Sequence, residues 1–305
     1  MTDNAPAKAT TWAPNEAPTG RWVGFFFACF GALILGSFVS AILQVLWKAN
    51  GVWSWAPATV GGLLAFAIAL GLAAILVRPI CKTTLRQLIL GSSGKFDWVV
   101  FGKMIGAWFV GTILNALVST FLMPSDGVTT INSIGALPII VNFLICLVFV
   151  WAQTTTEEVV FRCTFLRAAC GDKIRFTGKV VVWGIISSLL FMGAHGGNPE
   201  VLTQSTIETI VPALICYFIA GAGMYFADVV YGNCLAGCAI HWINNFFLFV
   251  FFTEANTAMQ TGSLFVSSAS SDGISGLVAT IVLYIPIFVV LFIDARKKKA
   301  QQASA

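Results

Sequence analysis

Apolar residues fill long segments of the chain, and short polar connections separate these segments. A helix that crosses the ~30 Å hydrocarbon layer of a membrane needs about 20 predominantly apolar residues. The segments close to this length are Trp22–Leu46, Ala56–Val77, Trp98–Leu122, Leu137–Leu166, Val180–His195, Ile207–Phe226, Cys234–Phe252 and Ile274–Ile293. The pattern therefore predicts an all-α, polytopic membrane protein with about eight transmembrane helices.

The composition agrees with this prediction and leaves little room for a water-soluble domain. Hydrophobic residues make up 58% of the 305 residues, and charged residues make up 10%. We interpret residues 21–295 as a single transmembrane domain. Residues 1–20 are polar and contain several prolines, which predicts a disordered cytoplasmic tail and no cleaved signal peptide. We interpret residues 296–305 as a basic cytoplasmic tail.

Lysine and arginine alternate between the two ends of the predicted bundle. The connections after the third, fifth and seventh spans contain neither residue, whereas those after the second and fourth spans and the C-terminus are basic. The basic residues are Arg78, Lys82, Arg86, Lys95, Arg167, Lys173, Arg175, Lys179, Arg296, Lys297, Lys298 and Lys299. Because cytoplasmic loops are enriched in Lys and Arg, the alternation predicts that both termini are cytoplasmic. We expect an integral protein of the plasma membrane of a prokaryotic cell.

Six consecutive polar residues, Gln153 to Glu158, interrupt the fourth predicted span. Glu157 and Glu158 are among them. On insertion scales a charged side chain at the centre of a spanning helix costs roughly 2.5–3.5 kcal/mol, so it persists mainly where it faces the protein interior or a water-filled cavity. The interruption therefore predicts a functional site inside the membrane.

The two carboxylates are expected to have different roles. Glu158 and Arg162 are four residues apart on a helix and can form an ion pair. Glu157 is rotated by about 100° from Glu158, so it is left to face a cavity as a general base. The alternative interpretation is that both glutamates pair across the bundle without a chemical role.

The chain's two histidines also lie in apolar segments. His195 ends the fifth predicted span, and His241 and Asn245 share one face of the seventh. Helix geometry places these side chains and Glu157 at similar depth, which predicts one polar pocket and a catalytic core at about residues 150–250. The alternatives are that His195 is an interfacial histidine and that His241 and Asn245 form a polar contact between helices.

Three short motifs follow one another along these spans. They are EExxxR at Glu157–Arg162, FxxxH at Phe191–His195 and HxxxN at His241–Asn245. In this order the motifs resemble the CAAX protease and bacteriocin-processing family, also called CPBP or Abi, which includes CAAX prenyl endopeptidases. The resemblance covers about residues 153–247 and implies an intramembrane endopeptidase built as a bundle of eight helices.

The resemblance also implies a role for each motif residue. Glu157, assisted by His195, would activate water, and His241 and Asn245 would stabilise the oxyanion. Amide hydrolysis needs a base for water and donors aimed at the developing charge, which agrees with these roles. The structural support of the site would come from Glu158 and Arg162.

Metal dependence is a separate question. A glutamate and two histidines suit a catalytic zinc site, in which three protein ligands leave a position open for water. For a metal-dependent enzyme the expected ligands are Glu157, His195 and His241. The HExxH zinc motif is absent, and neither histidine has an evident carboxylate partner along the sequence. We therefore favour catalysis without a cofactor, with zinc as the alternative.

Two other classes of function use the same pocket. Buried carboxylates can relay a proton or a small cation in a transporter, and an immunity or scaffold protein of the membrane is the other alternative. The expected partners are membrane lipid and a peptide or protein substrate at the membrane. The substrate stays open between a CAAX-type prenylated C-terminus and a small, bacteriocin-like peptide. The net charge of +4 follows from the topology and indicates no nucleic-acid partner.

Overall fold

The computed structural model describes residues 15–123, 128–204, 206–254, 257, 261–268 and 273–303. The α-helices in this part of the chain are α1 (Thr19–Leu46), α2 (Ala56–Cys81), α3 (Leu85–Leu90), α4 (Trp98–Phe121), α5 (Ala136–Glu158), α6 (Thr164–Cys170), α7 (Gly178–His195), α8 (Pro199–Leu202), α9 (Ile207–Tyr231), α10 (Leu235–Phe251) and α11 (Gly273–Ala303). The short strands are β1 (Thr129–Ile131), β2 (Phe252–Glu254) and β3 (Phe265–Ser267).

The helices have the length and composition of a polytopic membrane protein. Within the described residues, seven helical spans are long and apolar enough to cross a membrane, and α10 is a shorter apolar helix of 17 residues. The prediction of an all-α membrane protein with about eight spanning helices is therefore confirmed, with α10 as the short member.

Several spans extend further than the hydrophobic pattern predicted, and two of them, the fourth and the sixth, carry buried charged residues. The fourth continues from α5 through one π-helical turn (Val159–Cys163, the π-turn) into α6, and it ends at Cys170. The sixth span is α9, which ends at Tyr231 rather than at Phe226. Gly232 follows it with a φ of 77°, a left-handed conformation that commonly ends helices.

The structure describes parts of the two predicted tails. Residues 1–14 of the predicted N-terminal tail lie outside the described residues. Asn15 is buried, and its side-chain amide donates hydrogen bonds to the Gln87 carbonyl oxygen and to Asp172 Oδ1, both at 2.9 Å. At the other end of the chain, α11 continues as a helix through residues 296–303.

A small sheet joins the connections that follow the third and seventh spans. Its strand order is β1-β3-β2. Thr129 of β1 lies opposite Ser267 of β3 in an antiparallel pair, and Phe252 of β2 lies opposite Phe265 in a parallel pair. These two connections, which lack Lys and Arg, therefore lie at the same end of the bundle.

The short helix α3 contacts the connections that follow the fourth and sixth spans. Arg167, at the end of the fourth span, donates a hydrogen bond from Nη2 to the Leu88 carbonyl of α3 at 3.0 Å. The Cys234 N–H, which follows the sixth span, bonds to the Ile89 carbonyl at 2.8 Å. The connections after the second, fourth and sixth spans therefore meet, as expected if they share one side of the membrane.

A stack of aromatic rings holds α4, α5 and α10 together. The centroids of Phe101 and Trp151 are 5.6 Å apart, those of Trp151 and Trp242 are 4.7 Å apart, and those of Trp242 and Phe246 are 5.2 Å apart. The planes of Trp151 and Trp242 differ by 17°. Offset stacking of this kind adds to the area that the rings bury. It fixes α10 against α5 next to the polar residues that begin at Gln153.

Candidate active site

The π-turn follows directly after the two glutamates of α5. All five of its residues are buried, and the Thr164 N–H bonds to the Val159 carbonyl, five residues earlier. The Phe161 carbonyl accepts a hydrogen bond from Ser187 Oγ of α7. Single π-helical turns within α-helices are frequent at functional sites. Here the turn connects α7 to the part of α5 that carries the carboxylates.

Glu158 and Arg162 form the predicted pair. Arg162 Nη1 lies 3.2 Å from Glu158 Oε1, and both side chains are fully buried. The guanidinium also lies over the Phe191 ring, 3.8 Å from its centroid, an arrangement that stabilises a cation removed from water. Glu158 Oε1 has a second partner, His241 Nδ1, at 2.6 Å. The sequence shows no evident carboxylate partner for either histidine, and the structure supplies one for His241, because Glu158 reaches it from another helix.

Glu157 faces both histidines. Its Oε2 atom lies 3.4 Å from His241 Nε2 and 3.9 Å from His195 Nε2. Its Oε1 atom accepts a hydrogen bond from Gln153 Nε2 at 2.6 Å. Within the described part of the chain, Oε2 has no hydrogen-bond partner. The carboxylate is thus held through one oxygen and presents the other to the histidines.

The partners of the Nδ1 atoms determine which ring nitrogens carry a proton. His241 Nδ1 lies 2.6 Å from a Glu158 oxygen, and His195 Nδ1 lies 2.8 Å from the Phe191 carbonyl oxygen. A carbonyl oxygen and an ionised carboxylate accept hydrogen bonds, so each Nδ1 donates. In the neutral rings both Nε2 atoms are then acceptors that face Glu157. A hydrogen-bond donor such as water therefore suits a position beside these acceptor atoms.

Asn245 lies one helical turn after His241 and faces the same pocket. Its Nδ2 atom donates a hydrogen bond to Gln153 Oε1 at 3.0 Å and lies 3.3 Å from His241 Nε2. The structure thus brings together every side chain that the motifs singled out. These are Glu157, Glu158, Arg162, Phe191, His195, His241 and Asn245.

Aromatic rings hold His195 at the end of α7. The ring centroids of Phe191 and Tyr217 lie 4.2 Å and 4.4 Å from that of His195, and Tyr217 is stacked on it. The Tyr217 hydroxyl donates to Glu200 and accepts from Asn198 Nδ2 at 3.2 Å. The connection after α7 therefore supports His195 through Tyr217. Sequence reasoning missed Tyr217, because a tyrosine in an apolar span carries no distinguishing signal.

A third buried carboxylate, Asp228 of α9, lies next to Glu158. Asp228 Oδ1 accepts a hydrogen bond from the Gly237 N–H at 2.7 Å. A Cβ atom at Gly237 would lie 2.8 Å from Asp228 Oδ2 and 2.9 Å from Glu158 Oε2, so both carboxylates press against this glycine. Sequence reasoning missed Asp228 because the predicted span ended at Phe226. Had the span been predicted to its full length, Asp228 would have been recognised as a charged residue inside a membrane span.

The donor atoms also allow a test of the zinc alternative. Among the described residues, no three His, Cys, Asp or Glu side chains are arranged to hold a metal ion. Ligands of a tetrahedral zinc with bonds near 2.1 Å lie about 3.4 Å apart. His241 Nε2 has this spacing from Glu157 Oε2, whereas His195 Nε2 lies 3.9 Å away. The donor types suit zinc, and His195 would have to approach Glu157 to complete a site.

These observations define a helical membrane protein with a cluster of mostly buried polar side chains where α5, α7 and α10 meet. Residues 138–247 match the profile of the family described as type II CAAX prenyl endopeptidase Rce1-like. The matched segment contains all seven motif residues. The match confirms the resemblance to the CAAX protease family over this segment, and at the level of the family it indicates an intramembrane protease. No curated protein and no solved structure matches the chain.

Proposed function

We propose that this chain is an endopeptidase that cleaves a membrane-associated substrate with a water molecule activated by Glu157. The observation that carries the proposal is the position of Glu157 Oε2 in a buried pocket, 3.4 Å from His241 Nε2 and 3.9 Å from His195 Nε2. A general base needs a free oxygen within reach of the proton that it removes. Glu157 meets this requirement through Oε2, while Gln153 holds Oε1.

In the proposed reaction, the water oxygen attacks the carbonyl carbon of the scissile peptide bond, and Glu157, assisted by His195, takes the proton. The carbonyl oxygen becomes an oxyanion, to which His241 and Asn245 donate hydrogen bonds. Such donors stabilise the transition state more than the bound substrate. Collapse of the tetrahedral intermediate breaks the C–N bond, and the proton held by Glu157 passes to the leaving amine.

Glu158 and Arg162 support this chemistry from the interior of the bundle. Glu158 fixes the orientation of the His241 ring through Nδ1. Donation from His241 Nε2 to an oxyanion requires protons on both ring nitrogens. In the proposed reaction His241 is therefore an imidazolium rather than the neutral ring, and the Glu158 carboxylate accepts the hydrogen bond from its Nδ1. Arg162 balances the charge of Glu158 at 3.2 Å.

The proposed substrate is a CAAX-type prenylated C-terminus, in keeping with the description of the matched family. A small peptide substrate is the alternative. We further propose that both termini are cytoplasmic and that the protein resides in the plasma membrane of a prokaryotic cell. The alternation of Lys and Arg supports this orientation.

The test uses the purified full chain in lipid nanodiscs and a quenched fluorescent CAAX-type peptide with an S-farnesyl cysteine, next to its unprenylated twin. Glu157→Gln should lower kcat by about 10²–10⁴-fold, since general-base catalysis contributes that much. Glu208→Gln neutralises an exposed carboxylate at the start of α9 and should retain the wild-type rate. Full activity of Glu157→Gln would overturn the mechanism, whereas a wild-type chain that cleaves neither peptide would favour the ion-relay alternative.

The same preparation decides between metal-free and zinc-dependent catalysis. We propose the metal-free reaction. An active preparation without bound zinc would support it. Stoichiometric zinc that is lost in both His195→Ala and His241→Ala, with matching inhibition by a chelator, would instead identify Glu157, His195 and His241 as ligands. Bound zinc would then supply the activated water.

A further inference from the structure

Gln153 connects the proposed base to a proposed oxyanion donor. Its side chain is buried, with 4% of its surface exposed. Gln153 Nε2 donates a hydrogen bond to Glu157 Oε1 at 2.6 Å, and Gln153 Oε1 accepts one from Asn245 Nδ2 at 3.0 Å. The first bond spans one turn of α5, and the second crosses to α10. One amide group therefore contacts two helices of the pocket.

The chain of hydrogen bonds continues beyond Asn245. Asn245 Oδ1 accepts a hydrogen bond from Asn244 Nδ2 at 3.1 Å, and Asn244 Oδ1 accepts one from Trp108 Nε1 at 3.4 Å. Trp108 is a buried residue of α4. Hydrogen bonds thus run in one direction from α4 through α10 to α5 and end on Glu157.

The two ends of this series of hydrogen bonds fix the orientation of every side-chain amide between them. The indole N–H of Trp108 can only donate, and the ionised carboxylate of Glu157 can only accept. Gln153 must therefore turn its NH₂ group toward Glu157 and its oxygen toward Asn245. Reversal of any amide would bring two donors or two acceptors together in a buried place, which is unfavourable.

We propose that Gln153 is a positioning residue of the catalytic site, which holds Glu157 and Asn245 in fixed orientations. This inference rests on the proposed function. Gln153 occupies one oxygen of Glu157 and leaves Oε2 for the water molecule. It also holds the Asn245 NH₂ group so that its second N–H points toward the pocket, where His241 Nε2 lies 3.3 Å from Asn245 Nδ2. A displacement of reacting groups by about 1 Å can cost on the order of 10²-fold in rate.

Gln153→Met tests the inference, because methionine keeps the length of the side chain and removes both hydrogen bonds. In the farnesylated-peptide assay, kcat should fall about 10- to 10²-fold, with little change in KM. Thr154→Val is the matched control. Thr154 is the next residue and is also buried, but its hydroxyl donates to the Val150 carbonyl of the same helix at 2.9 Å. The kcat of Thr154→Val should remain at the wild-type value.

A double variant separates positioning from a general loss of structure. If Gln153 acts through Asn245, Gln153→Met should cost less when Asn245→Ala is already present. The loss in kcat of the double variant should then be at least about fivefold smaller than the product of the two single losses. Losses that multiply would overturn the inference.

Gln153→Glu covers the case in which Gln153→Met does not fold. The glutamate keeps the shape and the acceptor for Asn245, but it loses the donor for Glu157, so kcat should again fall. If Glu157→Gln retains full activity, the proposed function itself fails. If Glu157→Gln is inactive while both Gln153 variants have wild-type kcat, the positioning role alone is wrong.

Discussion

Glu158 is the residue at which the buried charges of the pocket meet. Its Oε1 atom lies 3.2 Å from Arg162 Nη1 and 2.6 Å from His241 Nδ1, and its side chain is fully buried. Removing one member of a buried ion pair leaves the other charge in a medium that solvates it poorly. The stability of the bundle should therefore depend on Glu158 more than on its neighbour Glu157.

Glu158→Gln should lower the free energy of unfolding by about 3–5 kcal/mol, because Arg162 loses its charged partner. Calorimetric unfolding of the purified protein in detergent measures this change. Glu157→Gln is the control, since it makes the same chemical change at the adjacent position while leaving Arg162 paired. Equal stabilities of the two variants would contradict the assignment of Glu158 as the supporting carboxylate.

The motifs predicted the residues of the pocket, but they did not reveal all of its contacts. Glu158 and Arg162 pair as their spacing of four residues on a helix predicted. The bond from Glu158 to His241 and the bonds of Gln153 join side chains from different parts of the sequence. Such contacts depend on how helices dock, which residue spacing does not encode.

At the scale of the elements, the π-turn determines how α5 and α7 fit together. The Phe161 carbonyl within the turn accepts a hydrogen bond from the Ser187 hydroxyl of α7. This buried hydrogen bond between two helices is a constraint on the docking of α7. His195 lies at the end of the same helix, and its position depends on that docking.

Ser187→Ala should lower the free energy of unfolding by about 1–3 kcal/mol, because the Phe161 carbonyl loses its partner from α7. Ser188→Ala is a matched control at the next position. Ser188 is equally buried, but its hydroxyl donates to the Gly184 carbonyl of its own helix at 2.7 Å. Ser188→Ala should therefore lower the free energy of unfolding by less than Ser187→Ala does. The same unfolding measurement compares the two, and a larger effect at Ser188 would refute the role of the π-turn contact.

Hydrophobic periodicity predicted the helical spans well and their ends poorly. The apolar stretch of α9 was placed correctly, but its end at Tyr231 was not, which left Asp228 outside the predicted membrane region. The π-turn carries no signal in the pattern, because its residues Val159–Cys163 include the same apolar types as an ordinary helix. Both features arise from packing between helices, which the pattern of a single segment does not contain.

At the scale of the whole molecule, the loops fall into two groups that agree with the predicted topology. Lys173 lies in the connection after the fourth span and is exposed, and Leu202, after the fifth span, is 68% exposed. In β1, Ile131 is 70% exposed. The Lys and Arg pattern predicts that Lys173 lies in the cytoplasm and that the other two positions lie outside.

Single cysteines at these positions test the topology in intact cells. In a background with Cys170 and Cys216 replaced by serine, Lys173→Cys should react with a membrane-impermeant maleimide only after the cells are opened. Leu202→Cys and Ile131→Cys should react in intact cells. Labelling of all three positions from one side would refute the arrangement of spans, and a complete reversal would invert the proposed orientation.

The stacked indoles of Trp151 and Trp242 have a consequence for spectroscopy. Their centroids lie 4.7 Å apart and their planes differ by 17°, so their electronic transitions are close enough to couple. Fixed aromatic packing gives circular dichroism in the near ultraviolet, which is lost when tertiary packing loosens. Because Trp151 precedes Gln153 by two residues on α5 and Trp242 follows His241 on α10, this optical signal reports the register of the two helices that build the pocket. It can be read on the unlabelled protein before any substrate is identified.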